Sequence, residues 1–543
     1  MAPTPGILYV TMQPEPSLPP AQFHDWYNNE HGPTRLRLPF VSNGFRYRAQ
    51  GQDPEWMAIY DIVDNDELTK EPYTRLRTDA VKSQREKETM KQIKVDRKIL
   101  DLVGSRAAKH FRKLEEVKAE GEKNCMVAVS FCIPAEKEQE VERWYEEEHI
   151  DMLSKVPGWL RTRRFVTSRI TPEDKREFLA LHEFAPKNGL GGKEHKASMN
   201  TPWQKEIMEN TMSEKRRYVY DLYYTFGPAP RDLAPLSSED CIGAFKSPDK
   251  LTRTFPASDG VAAIESFVTT SDGVDLPYRL EGCTDSDAPL IVLDNSILVN
   301  WGIWDGFIAA FFKHSQNKKY RILRFQKRGR SSQCGDRPIT IDVLSSDVIT
   351  LLDALRVPKA AAVIGVSLGG AATLNTALKY PDRVAAFVCC DMSSKSPAGN
   401  SKIWGERIAM AEKEDAKASS GEPIVGSELA EVTVKRWFVP ENHSTSELQR
   451  LKEMVATNSL EGFKRSVQAL FEYDMKPLMK EGKAKGAFVV GDEDGVLPKT
   501  MEEMAEAYGE KGAEYQVIEK AGHLPMVEQP EEFAEFVTQF LGS

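Results

Sequence analysis

The chain has 543 residues, enough for two or three domains with sizeable cores, and its 41% apolar and 28% charged residues fit a soluble globular protein. A net charge of −10 gives no general attraction to nucleic acid or to an anionic membrane, which leaves a small molecule as the expected partner. Seven scattered cysteines, Cys389 and Cys390 adjacent among them, read as reduced thiols of a cytoplasmic protein; no Cys-x-x-Cys or His-Glu-x-x-His spacing asks for a metal, and no cofactor is expected.

In chain order, residues 1–6 lack both a basic region and an apolar core, so no signal peptide is expected. Residues 7–12 read as a strand, followed by a helix carrying Trp26-Tyr27-Asn28-Asn29-Glu30-His31, strands at 44–48 and 56–62, then a later helix and strand. The same order begins again at 126–133. Its helix carries Trp144-Tyr145-Glu146-Glu147-Glu148-His149, and strands follow at 160–166, 177–183 and 218–226. Trp, Tyr, Glu and His of the two motifs lie 118 positions apart, as do Pro39 and Pro157, which marks an internal repeat. Each βαββαβ-like unit places helices on one face of an antiparallel sheet and leaves an apolar face that the other unit can cover.

This front half resembles the EthD-like branch of the dimeric α/β-barrel superfamily, fused into one chain as a ferredoxin-like pseudo-dimer with repeats at 1–118 and 119–228. The resemblance implies a space between sheet and helices that can hold a small aromatic or polyketide-like ligand, which makes His31 and His149 candidates for a second site. The competing reading is that Trp, Tyr and His pack the helix onto the sheet. Appearance in both copies favours packing, since one active site rarely needs two symmetric sets. The front half is assigned to assembly, with a homo-oligomer compatible with it, and to shaping access to the second half.

Gly227-Pro228-Ala229-Pro230, then Pro235, Ser237 and Ser238, open a linker expected over 229–262, with a further domain from 263 to 543. A strand at 289–293 runs into Asp294-Asn295-Ser296-Ile297-Leu298. The apolar run 360–364 precedes Gly365-Val366-Ser367-Leu368-Gly369, and a small-residue helix follows. Strand, Gly-x-Ser-x-Gly turn and helix together describe a nucleophile elbow, which lifts the Ser367 hydroxyl out of the sheet. Further along, a strand at 487–490 enters Gly491-Asp492-Glu493-Asp494, and a strand at 515–518 is followed by Gly522-His523 and a helix at 530–541. Serine needs a base to take its proton, and the base needs a carboxylate to fix its tautomer. His523 is the expected base. Asp494 is the preferred acid and Asp492 the alternative. The amides of Leu368 and Ile297 are the expected oxyanion donors.

From about residue 264 to 541 the chain resembles the α/β-hydrolase superfamily, and within it the 3-oxoadipate enol-lactonases. The likeness is carried by Leu293-Asp294-Asn295-Ser296, Lys327-Arg328-Gly329-Arg330-Ser331, Tyr380-Pro381-Asp382-Arg383-Val384, Trp404-Gly405-Glu406-Arg407, Arg436-Trp437-Phe438 and Gly522-His523, besides the elbow. It implies a Ser-His-Asp triad, a mainly parallel sheet and a helical cap, expected at about 393–473, with Trp404, Arg407, Arg436 and Trp437 in it as substrate-binding residues. Arg407 or Arg436 would meet a substrate carboxylate. Two departures alter the site mouth: Leu298 stands where such proteins usually have Gly, and Arg330-Ser331 replaces His-Gly.

The expected protein is therefore a serine hydrolase opening an ester or lactone through an acyl-enzyme. The alternatives are cofactor-free C–C bond cleavage on the same triad, and a ligand-binding or scaffold protein working through the barrel.

Overall fold

The computed structural model describes residues 2–113, 123–171, 176–258, 260–442 and 446–542. The chain divides into two compact units, residues 1–243 with 247–250, and residues 244–246 with 251–543.

Eight strands build the first unit: β1 (Gly6–Pro14), β2 (Val41–Ala49), β3 (Trp56–Ile62), β4 (Ile93–Ala107), β5 (Cys125–Cys132), β6 (Trp159–Thr167), β7 (Glu177–Phe184) and β8 (Ser213–Thr225). They close into an antiparallel barrel in the order β1-β3-β2-β8-β5-β7-β6-β4. Each half of the sequence supplies four neighbours in the same sense, β4-β1-β3-β2 and β8-β5-β7-β6, and closure removes the free edges. Period-2 alternation explains why β1 is apolar on both faces. Ile7 and Tyr9 join a core that draws on both halves, with Tyr47, Ile59, Met126, Phe165 and Tyr220, whereas Leu8, Val10 and Met12 pack under the helices.

The repeated motif occupies a π-helical turn in both halves. Tyr27–His31 follows the helix Pro20–Trp26, and Tyr145–His149 follows Glu138–Trp144. The wider turn stacks each histidine back over its own motif: Trp26 and His31 ring centres are 4.7 Å apart, Trp144 and His149 4.3 Å.

The stretch expected as a linker is mostly structured. Asn28 donates to Asp232 at 2.7 Å, the Asp232 amide donates to Asn29 at 2.9 Å, and Leu233 and Leu236 are buried. Residues Arg253–Ser258 already pair in the second unit's sheet. The boundary therefore falls near 243–251, because apolar and Asn–Asp contacts tie the Pro-rich segment to the first unit.

The second unit holds a ten-stranded sheet: β9 (Phe245–Lys246), β10 (Arg253–Ser258), β11 (Val261–Thr269), β12 (Asp275–Gly282), β13 (Leu290–Asp294), β14 (Arg321–Phe325), β15 (Ala362–Val366), β16 (Ala386–Cys390), β17 (Lys485–Gly491) and β18 (Glu514–Ile518). The order is β18-β17-β16-β15-β13-β14-β12-β11-β10-β9. The six strands β13 to β18 run parallel, and β12 joins β14 antiparallel. β13 to β16 are buried along their whole length, as a parallel sheet covered on both faces requires. Between β16 and β17 lie the helices Asn400–Glu414, Ser427–Trp437, Ser446–Ala456 and Leu460–Val467, in the stretch expected as a cap.

Candidate active site

The carboxyl ends of the parallel strands share one edge, where an open α/β sheet binds its ligands. Ser367 leaves β15 there with φ 55° and ψ −118° and heads the helix Leu368–Lys379. A non-glycine residue in this region is strained and persists only when its surroundings impose it. They do so here. A Cβ on Gly365 would lie 2.3 Å from the Gly369 carbonyl, and one on Gly369 would lie 2.3 Å from the Asp294 carbonyl and 2.5 Å from that of Asn295. The glycines thus let the elbow helix press against the loop after β13. That loop carries Ile297, and the Leu368 amide opens the helix, where backbone N–H groups lack intrahelical acceptors.

From Ser367 a ladder of contacts crosses the strand ends. The Ser367 amide donates to Cys390 O at 2.9 Å, the Asp391 amide to Val489 O at 3.1 Å, and the Gly491 amide to the Asp391 carboxylate at 3.0 Å. Glu493 N donates to Ala521 O at 3.0 Å, which ties the loop after β17 to the loop after β18. Across this junction His523 Nδ1 meets Asp494 Oδ2 at 2.6 Å. Asp492, the alternative acid, is exposed and accepts the Ala521 amide at 3.1 Å, so it braces the turn.

Burial alone would raise the Asp494 carboxyl, but the His523 ring, hydrogen bonds from His523 and Asp391, and the Arg436 charge together hold it below the usual carboxylate range. The next carboxyl inward is Asp391, which sequence reasoning missed. It is buried at the end of β16, and one of its oxygens lies within 4.8 Å of a ligand atom of both Asp494 and His523. Burial first, and then the Asp494 charge, push its carboxyl well above the ordinary range, so it stays protonated beside an ionised neighbour. Its signal in sequence was slight: one acid just past a buried strand.

The other expected residues lie in the helices between β16 and β17. Trp437 is buried with its ring 5.9 Å from that of His523, and its carbonyl accepts the His523 amide at 2.7 Å. Trp404 is buried against Phe463, with the Arg407 guanidinium 4.3 Å from its ring centre. Burial and then the Arg436 charge push Arg407 down to about 10, so the two guanidinium groups feel one another. Arg330 donates to Leu298 O at 3.1 Å, Asn458 Oδ1 at 3.2 Å and Thr457 Oγ1 at 2.8 Å, and also bonds Met454 O. In the other unit, His31 pairs with Glu86 at 3.0 Å, while His149 lies beside His182 with ring centres 6.1 Å apart.

Residues 297–536 match the profile of the alpha/beta hydrolase family, and the C-terminal half of the chain is an alpha/beta hydrolase. Among its relatives, 3-oxoadipate enol-lactonase 2 of Acinetobacter baylyi is 27% identical over 272 residues, 49% of this chain and 92% of the lactonase. 3-oxoadipate enol-lactonase 1 of the same organism is 26% identical over 279 residues, 51% of this chain and 97% of its own length. Among solved structures, the enol-lactonase from Burkholderia xenovorans LB400 superposes with a TM-score of 0.43 at 26% identity, covering 50% of this chain and 97% of that one. Among the described residues, no helix is long and apolar enough to cross a membrane.

Proposed function

We propose that the C-terminal unit is a serine hydrolase that opens a small ester or lactone, enol-lactone-like in class, with Ser367 as nucleophile, His523 as base and Asp494 as the acid. The observation that carries this reading is the 2.6 Å contact of His523 Nδ1 with Asp494, on the strand edge where Ser367 stands in its strained turn. Asp494 accepts the Nδ1 proton, which leaves Nε2 to take the proton of Ser367 Oγ as that oxygen attacks the carbonyl carbon. The amides of Leu368 and Ile297 receive the oxyanion. As the C–O bond breaks, His523 returns the proton to the leaving oxygen, which in a lactone stays on the acyl chain. Water then repeats the cycle and frees Ser367. Arg407 and Arg436, whose like charges already act on each other, would bind an acidic substrate's carboxylate and be relieved by it. The names of the matched lactonases support the same bond class.

For the N-terminal unit the reading is a tandem EthD-like barrel, a pseudo-dimer of two ferredoxin-like repeats. The 4-1-3-2 strand order in both halves and the paired π-helical motifs support it.

The test is turnover on a panel of lactones and aryl esters. His523→Ala should lower kcat by at least ~10³-fold while the circular dichroism spectrum is kept. A loss under about tenfold would remove His523 from the chemistry.

A further inference from the structure

The two ends of the barrel lumen are built differently. Ion pairs plug one end. Arg163 of β6 donates to Asp61 of β3 at 2.6 Å and lies 3.7 Å from Glu183 of β7, which also accepts from Arg161 at 2.7 Å. Arg163 and Glu183 are buried, and the plug ties the two halves of the barrel together.

At the other end, where β1 runs out past Gln13 and β7 begins at Glu177, the lumen opens into a cavity of about 330 Å³. That volume falls among the roughly 300–1,000 Å³ of small-molecule sites. Its floor is apolar: Tyr9, Leu100 and Leu179 belong to the buried lumen core, and Tyr218 packs against them. Strand pairing shows why there is room. Tyr9 lies opposite Ile59 and Lys98, and in the second half Ala128 lies opposite Leu181 and Tyr218. Ala128 thus takes the place of Tyr9, and two residues on Ser130 takes that of Thr11, so small side chains line one wall.

The same pairing puts Arg216, opposite Ser130, where the first half has Asp96, opposite Thr11. The rim satisfies its other charges internally. Lys98 lies 2.6 Å from Glu177 and 3.5 Å from Asp96, and Lys94 lies 3.8 Å from Glu15. Arg216 is exposed, and among the described residues no carboxylate pairs with its guanidinium. A spare guanidinium above a buried apolar floor suits an amphipathic anion. The chain gains by leaving water, and the guanidinium offers a carboxylate two parallel donors.

We propose that this end of the lumen binds a straight-chain carboxylate, its tail laid on Tyr9, Leu100, Leu179 and Tyr218 and its head held by Arg216. The site lies on the opposite face of the sheet from Trp26 and His31, since Leu8, Val10 and Met12 pack toward the helices while Tyr9 points inward. It does not depend on the hydrolase chemistry.

The test is calorimetric titration of the full chain with octanoate. It is run on the wild type and on an Arg407→Ala/Arg436→Ala background, which removes the arginines assigned to the hydrolase site. Saturable binding should persist in that background. There Arg216→Ala, which removes the spare charge, and Ser130→Phe, which fills the small-residue wall, should each weaken binding about tenfold or more, and octan-1-ol should bind weaker by a similar factor. Arg217→Ala, one residue along and so on the outer face, and His31→Phe should leave affinity unchanged. Arg216 is exposed, so its variant keeps the fold even where a phenylalanine at position 130 does not. No saturable binding in the background, affinity that survives Arg216→Ala, affinity that falls as far with Arg217→Ala or His31→Phe, or equal affinity for octan-1-ol would overturn the proposal.

Discussion

Burial, and then the Asp494 charge, favour the protonated form of Asp391. Buried beside the Asp494–His523 pair, it accepts the Gly491 amide on one oxygen and lies within 4.8 Å of an Asp494 carboxylate oxygen. Its folded pKa is raised, so the native chain holds a proton that the unfolded chain releases above about pH 4. That proton costs nothing below the unfolded value, and stability is lost as pH rises from there toward the folded value. Asp391→Asn keeps an acceptor for Gly491 and a donor for Asp494 but removes the titration. We predict that the variant's advantage in urea midpoint over wild type widens steadily from pH 4 to pH 8 with turnover retained. A gap that is flat across this range would mean that Asp391 is not protonated in the fold. The turns that carry Ser367, Asp494 and His523 were legible because each follows a recognisable strand. Asp391 was not, because its meaning depends on β16 and β17 ending side by side, which no local pattern records.

At the scale of elements, the two departures from the enol-lactonase pattern prove to be one feature. Leu298 has φ 69°, a conformation that costs a non-glycine residue about 1–2 kcal/mol. Arg330, standing in place of the usual histidine, holds the Leu298 carbonyl and reaches Met454, Thr457 and Asn458 at the end of the helix Ser446–Ala456. One guanidinium therefore links the loop bearing Ile297 to the helices above the strand edge. Sequence alone showed both substitutions but not their contact, because they lie on separate loops. We predict that Arg330→Ala lowers kcat/KM at least tenfold, and that adding Leu298→Gly restores part of it, with a coupling of about 0.5–3 kcal/mol in a double-mutant cycle. Strict additivity would show that the two residues act independently.

At the scale of the whole molecule, the repeat gave the barrel's element order because Trp and His recur at a fixed offset, and the strand ranges followed within a few residues from apolar runs. The unit boundary was less legible. Prolines and serines at 228–238 look like a linker, yet Asp232, Leu233 and Leu236 are bound into the first unit by contacts with residues two hundred positions earlier. The divergence of the copies was equally hidden, since Tyr9 and Ala128 become comparable only once the strand pairing is seen. The proposed function of the hydrolase half rests on a single nucleophile, Ser367. Treating the active enzyme with a fluorophosphonate and mapping the adduct by mass spectrometry tests this most directly. One phosphonylated residue, Ser367, is expected, with activity lost in proportion to its labelling and no adduct in Ser367→Ala. Full inactivation with Ser367 unmodified, or an active enzyme that takes no label, would contradict it.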